Sequence, residues 1–218
     1  MSPRIACIHA LPLSIQPVRD AFTANWPEAE ISNLLDDDLT CALKRDGGIS
    51  PAITARICDL ATYAARTGVQ GILFTCSAFT PAMDLAKQLV SIPVLKPDEA
   101  MIEAALDTGQ RVGVVATFAG TPPITTGQLQ AAAAGRGQSI RVETALAEGA
   151  MAALNAGDGA AHDRLIADAC TALAPRVDVI CLAQFSMARA QAVAEQKVQI
   201  PVLTSPASAV TKLKKLLA

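Results

Sequence analysis

An apolar run that ends in polar residues occurs twice in this chain, 108 residues apart, and that spacing constrains the fold more than any other feature. The first copy reads Gly71-Ile72-Leu73-Phe74-Thr75-Cys76-Ser77-Ala78-Phe79. The second reads Asp178-Val179-Ile180-Cys181-Leu182-Ala183-Gln184-Phe185-Ser186-Met187, so Gln184 stands where the first copy has Cys76. Ile92-Pro93-Val94-Leu95 and Ile200-Pro201-Val202-Leu203 keep the same offset. Arg4 to Ala10 resembles Arg111 to Thr117 at nearly that offset. One duplication of a half-length unit is the reading, not an extended array of repeats.

Within each copy, apolar runs of strand length alternate with Ala-rich helical patterns, which is the βαβ signature of a mostly parallel sheet. Strands are expected near 4–10, 29–35, 69–76, 92–96, 111–117, 139–145, 177–184 and 200–204. Helices are expected near 15–25, 50–67, 81–90, 97–108, 123–135, 158–174, 187–196 and 206–217. Pro51, Pro81 and Pro206 each follow Ser or Thr, which predicts an N-cap with proline at the first helical position. No Gly/Ser-rich linker separates the copies, and Lys96-Pro97 leads straight into a helix. The expected fold class is therefore α/β, with two pseudo-symmetric flavodoxin-like lobes of mostly parallel sheet. Lobe 1 is drawn as 1–96 plus 206–218 and lobe 2 as 97–205, with the site in the cleft between them.

Composition narrows the function classes. A chain of 218 residues that is 51% hydrophobic can bury one good core or two small ones. A net charge of −2, scattered Lys and Arg, and 3% aromatic residues argue against a nucleic-acid surface. Lys212, Lys214 and Lys215 read as the polar face and favourable C-terminal charge of a last helix. No apolar run approaches the roughly 18 residues of a membrane span, and the amino terminus reads as a buried strand and not a signal peptide. The six cysteines form no CxxC pair, so neither a zinc site nor a disulfide framework is expected, and the plain setting is reducing and cytoplasmic.

Parallel sheets place ligands at the carboxyl ends of their strands, which selects the polar candidates. These are His9 with Ser14, Asp36 to Thr40, and Thr75-Cys76-Ser77 in the first half. The second half offers Thr117, Thr121, Gln184 and Ser186. Asp36-Asp37-Asp38 reads as a solvated, helix-capping turn before it reads as a metal site. His162 is expected to face solvent, and Cys7, Cys58, Cys170 and Cys181 to be core.

Thr75-Cys76-Ser77-Ala78, the strand Val112 to Thr117 with Thr121 beyond it, and the half-length repeat together resemble the aspartate/glutamate racemase superfamily. The resemblance spans essentially the whole chain. It implies a cysteine in each half facing the substrate α-carbon from opposite sides, with no metal and no cofactor. Cys76 matches the first cysteine. The second falls on Gln184, and Cys181 is no substitute, because three residues back along a strand it sits about 10 Å deeper and on the opposite face. Gln184 neither removes nor supplies a proton at neutral pH, though it can hydrogen-bond an oxygen.

The resemblance thus implies carbon-acid chemistry on a small carboxylate with Cys76 as the single thiol and Gln184 in the place of the lost base. A thiol just before a helix, beside free N–H groups, is expected to have its thiolate stabilised. His9, Ser14, Thr75, Ser77, Ala78, Thr117, Thr121, Phe185 and Ser186 are the expected substrate contacts. Leu11, Leu13, Phe79, Phe118 and Phe185 would set side-chain specificity and lean toward an apolar group. One-face protonation after decarboxylation, a covalent thiol adduct that isomerises, and racemisation with His9 or water as partner remain open. So does a protein that binds a metabolite without turning it over. The assembly expected for such an enzyme is a homodimer.

Overall fold

Strand alternation explains how each sheet is covered on both faces. In the second half, β5 (Arg111–Ala116) and β7 (Val179–Leu182) send Val112, Val114, Ala116, Val179 and Cys181 to one side and Val115, Ile180 and Leu182 to the other. Near-continuous apolar strands of this kind belong to parallel sheets buried on both faces. The computed structural model describes residues 2–218.

The chain divides into two compact units. The first runs from the amino-terminal residues to Glu99 and takes in Ala209–Ala218; the second is Ala100–Ser208. The first holds β1 (Arg4–His9), β2 (Glu30–Leu35), β3 (Gly71–Phe74) and β4 (Val94–Leu95), all parallel, in the order β2-β1-β3-β4. The second holds β5, β6 (Arg141–Leu146), β7 and β8 (Val202–Thr204), again all parallel, in the order β6-β5-β7-β8. The repeat seen in the sequence is therefore a repeat of sheet topology.

In the first unit, α1 (Ile15–Asn25), α2 (Leu39–Asp46), α3 (Pro51–Arg66) and α4 (Thr80–Leu89) alternate with the strands. Ile53, Ile57, Ala61 and Ala64, at helical spacing on α3, pack with Met83 and Ala86 of α4 against Ala6, Ile8, Ile72 and Phe74 of the sheet. Ser50 caps α3 by accepting from the Ile53 N–H at 3.3 Å, and Gly47 ends α2 in the left-handed region at φ 70°. Glu99 accepts from Lys87 at 2.6 Å and from Lys212 at 3.2 Å. Burial works to raise the Glu99 pKa, and the two ammonium groups together hold it below the ordinary carboxylate value.

In the second unit, α5 (Glu99–Thr108) and α6 (Thr121–Gly135) cover one face through Met101, Ala105, Leu106, Leu129 and Ala133. The other face carries α8 (Gly159–Leu173) and α9 (Gln191–Glu195), with α7 (Ala150–Asn155) beside α8. Gly113 of β5 leaves room for the end of α8 and the turn after it, because a Cβ there would lie 2.8 Å from Leu173 and 3.1 Å from Val177. The last helix, α10 (Ser205–Leu216), ends with Lys214 and Lys215 in its final turn.

Several expectations need correction. Two short helices, α2 and α7, were not foreseen, and each spans too few turns to display a helical period. The segment expected as one helix over 187–196 is a 3-10 stretch, Phe185–Ala190, followed by α9. Thr80 and Ser205 are not N-caps but the first residues of α4 and α10, and the Thr80 hydroxyl donates to Ser77 O at 2.8 Å. His162 does not face solvent. It is fully buried on α8, where the 185–190 turn packs, with Nδ1 2.8 Å from Asp163, which Arg189 also holds. Cys58 is only partly buried, at the edge of the core. Among the described residues no helix is long and apolar enough to cross a membrane.

Candidate active site

Residues 75–79 leave the sheet at the carboxyl end of β3. The Thr75 N–H still donates to Ile8 O at 3.1 Å, and Cys76 then caps a 3-10 turn, Ser77–Phe79, that leads into α4. Phe79 anchors this turn by inserting fully into the first unit's core. This corrects its expected role in specificity. Its repeat mate, Met187, is equally buried in the second unit. Both turns are thus pinned by one large apolar side chain three residues after the candidate position.

Cys76 is half-buried, and the Ala78 N–H is aimed at its sulfur. Burial pushes the thiol pKa above its ordinary value of 9.0; the Ala78 N–H opposes this, and Asp98 adds to it. The expected thiolate stabilisation is therefore outweighed, because a single N–H offsets less than desolvation costs. Burial thus favours the protonated thiol over the thiolate. Ser77 is exposed, and its hydroxyl makes no hydrogen bond among the described residues.

His9, Ser14 and Thr75 are brought together, but inward. All three are buried. His9 Nδ1 lies 2.8 Å from Ser14 Oγ and 3.0 Å from Thr75 Oγ1, and the two hydroxyl oxygens are 2.9 Å apart. On the other side of the ring, Nε2 lies 2.9 Å from Asn33 Oδ1. The amide oxygen only accepts, so Nε2 carries the proton and Nδ1 accepts from a hydroxyl. Every polar atom of the ring is satisfied within the unit, and the network ties β1, β2, β3 and the turn Pro12–Ser14 together just behind Cys76.

Asn33 was not singled out from the sequence. It lies opposite Cys7 in the β1–β2 register, where His9 lies opposite Leu35, so alternation puts it on the same face as His9. An amide at the position of β2 that pairs with the buried Cys7 was the available signal. The equivalent strand-end positions in the second unit are Ala116 and Ala183, so this hub belongs to the first unit alone.

Burial, opposed by the Asn33 bond, holds the His9 pKa below its ordinary 6.5. The unfolded chain then takes up a proton that the folded one refuses. The His9 contribution is complete above the unfolded pKa of 6.5 and is lost as the pH falls through the lower folded value. Denaturant midpoints measured between about pH 7.5 and 5.5 should therefore fall more steeply for the wild type than for His9→Gln. Equal slopes would show that the ring does not titrate with folding.

In the second unit, β7 ends at Leu182 and Gln184 caps the 3-10 stretch that follows. Gln184 Oε1 accepts from the Thr117 N–H at 2.7 Å and from the Thr117 hydroxyl at 2.8 Å. Thr121 begins α6, and its N–H donates to Phe118 O at 3.1 Å. Phe185 and Ser186 are half-buried beside Gln184, and the hydroxyls of Thr121 and Ser186 make no hydrogen bond among the described residues. Phe118 is 65% exposed and Leu13 79% exposed, which leaves their apolar surface open to a ligand or to solvent. Cys181 is fully buried against α5 and α6, as its register required.

Two of the three carboxylates at 36–38, Asp36 and Asp38, are paired with an arginine. Arg56 grips Asp36 through Nε at 2.9 Å and through a second contact from Nη2, and reaches Asp38 at 2.9 Å. Among the described residues no group of three or more His, Cys, Asp or Glu is placed to hold a metal ion.

Residues 42–213 match the Asp/Glu/Hydantoin racemase family. The chain belongs to that family. The matched segment includes both Cys76 and Gln184, and membership puts the protein among racemase-type isomerases. The fold agrees. An allantoin racemase from Klebsiella pneumoniae superposes with a TM-score of 0.75 at 19% identity, covering 99% of this chain and 88% of that one. An aspartate racemase homologue from Pyrococcus horikoshii OT3 gives 0.72 at 15% identity, with 99% of each chain covered. A glutamate racemase from Bacillus anthracis gives 0.67 at 14% identity, with coverages of 99% and 81%. No curated protein matches the sequence.

Proposed function

We propose that this racemase-family protein carries out cofactor-independent acid/base chemistry at the α-carbon of a small carboxylate, with Cys76 as its only reacting thiol. One observation carries the reading. Of the two repeat-related strand ends, one bears a thiol under an N–H donor and the other an amide whose oxygen is already bonded twice. An amide is neither a working acid nor a working base at neutral pH, so acid/base duty falls on Cys76.

In this mechanism the exposed Ser77 hydroxyl and the turn N–H groups beside Cys76 help hold the carboxylate and the oxyanion that develops beside the reacting carbon. Water on the opposite face takes the α-proton and leaves its bonding pair on carbon; the Cys76 S–H bond breaks as its proton passes to that carbanion, and the electron pair stays on sulfur as thiolate. Water then restores the thiol. In the reverse sense the thiolate removes the α-proton and water supplies the opposite face. His9 is a positioning residue here, since its ring is enclosed and bonded on both sides.

The raised Cys76 pKa favours a second reading within the same site. A thiol that rests protonated is poised to donate, as it would after a substrate loses CO2 and leaves a carbanion. Incubation in D2O with amino acids, hydantoins and substituted malonates separates the readings. Deuterium at the α-carbon of recovered starting material, with loss of optical activity, supports isomerisation; singly deuterated product with released CO2 supports the lyase. Cys41 is exposed, so thiol alkylation belongs in a Cys41→Ser background. Absence of exchange and of CO2 across the panel, with binding retained, would identify a binding protein in place of an enzyme.

A further inference from the structure

The segment that follows β4 leaves the sheet beside the one that carries the thiol. β3 and β4 are parallel neighbours in the register Ile72↔Val94 and Leu73↔Leu95, and Cys76 keeps extended backbone at φ −131° and ψ 109°. Continuing that register past the last paired residues brings Asp98 alongside Cys76. Two ion pairs fix the segment there. On one side of Asp98, Lys96 reaches Asp84 of α4 at 2.8 Å; on the other, Glu99 accepts from Lys87 of α4 at 2.6 Å. The turn that begins at Cys76 leads into that same helix, so Asp98 is bracketed onto the element that positions the thiol. All of these residues belong to the first unit.

Among the described residues, Asp98 is the charged group whose field acts on the sulfur, and it works against ionisation. The other charges around it are paired with one another, Lys96 with Asp84, and Lys87 and Lys212 with Glu99. His9 lies behind the strand end, bonded to Thr75, and with its pKa below 6.5 it is neutral above pH 7. A fixed negative charge beside a thiol penalises the thiolate and leaves the neutral thiol untouched. From this geometry we infer that Asp98 is a positioning residue for Cys76: the two lysine clamps hold its carboxylate beside the sulfur, where it keeps the proton on the thiol and biases the site toward donating a proton. The catalytic meaning of this rests on the proposed single-thiol chemistry, whereas the charge coupling is read from the thiol alone.

Alkylation by iodoacetamide, a neutral reagent that consumes the thiolate, tests the coupling in the Cys41→Ser background, with Cys76 and the partly buried Cys58 followed separately by peptide mass spectrometry. Asp98→Asn should speed alkylation of Cys76 by about two- to tenfold on the rising part of the pH profile and move its midpoint to lower pH. Asp98→Glu keeps the charge and should stay within about twofold of the wild type. Raising the ionic strength from about 0.01 to 1 M should carry the wild type toward the Asp98→Asn rate and leave that variant unchanged, a response that a merely structural role would not produce. The pH profile of turnover should move to lower pH in step. Equal alkylation rates in wild type and Asp98→Asn, an Asp98→Glu variant that behaves like Asp98→Asn, or the same salt response in both would overturn the inference. Those results would leave the Cys76 chemistry standing, because that is read from turnover in Cys76→Ala.

Discussion

Cys76→Ala is expected to lower kcat/KM by about 10²- to 10⁴-fold while the melting temperature changes little. The activity loss follows because the repeat-related position holds an amide that cannot take over proton transfer. The stability estimate follows from burial: the side chain is only half-buried, and Thr75 and Phe79, not the thiol, hold the segment. Full activity in this variant would end the single-thiol mechanism.

The pH dependence of the wild type then separates donor from acceptor. With the pKa raised above 9.0, a donating thiol gives a rate flat across neutral pH that falls only in strong alkali. A thiolate base gives a rate that climbs with pH by up to tenfold per unit over the same range. A flat profile joined to CO2 release favours the lyase reading; a rising one joined to α-proton exchange favours isomerisation.

Phe79→Ala should be the most destabilising single truncation near the site, by about 3–5 kcal/mol, or about 6–20 °C in melting temperature. Phe79 is fully buried among Ala82, Met83, Ile57 and Phe74, so the lost ring leaves a cavity that a helix-backed sheet closes only in part. Phe79→Leu refills most of that volume and should recover most of the stability. A residue contacting substrate would behave differently, with both variants altering substrate preference at constant melting temperature. That pattern would restore the specificity role that its position beside Cys76 suggested.

Much of the fold was legible because the hydrophobic periods are clean. Strand cores such as Ile5-Ala6-Cys7-Ile8 and Val112 to Ala116, and long helices such as α3 and α8, carry their periods over enough residues to be read. The elements that escaped were short or mixed, as with α2, α7 and the 3-10 stretch at 185–190, which are set by what they pack on. His162 shows the same limit. Its position in α8 was foreseen, but its burial depends on a turn that returns from 185–190 to pack on that helix.

At the site the division is similar. Sequence alone determined the duplication, the strand ends that carry polar residues, the family resemblance, and the exchange of a thiol for an amide between equivalent positions. All of these depend only on residue identity and spacing, which the chain states directly. Tertiary structure alone decided which way those groups face. It turned His9, Ser14 and Thr75 inward onto Asn33, sank Phe79 into the core, bound both acceptor positions of Gln184 to Thr117, and half-buried Cys76, which pushes its thiol pKa up. Direction, burial and hydrogen-bond partners arise from residues far apart in the chain, and one-dimensional spacing does not encode them.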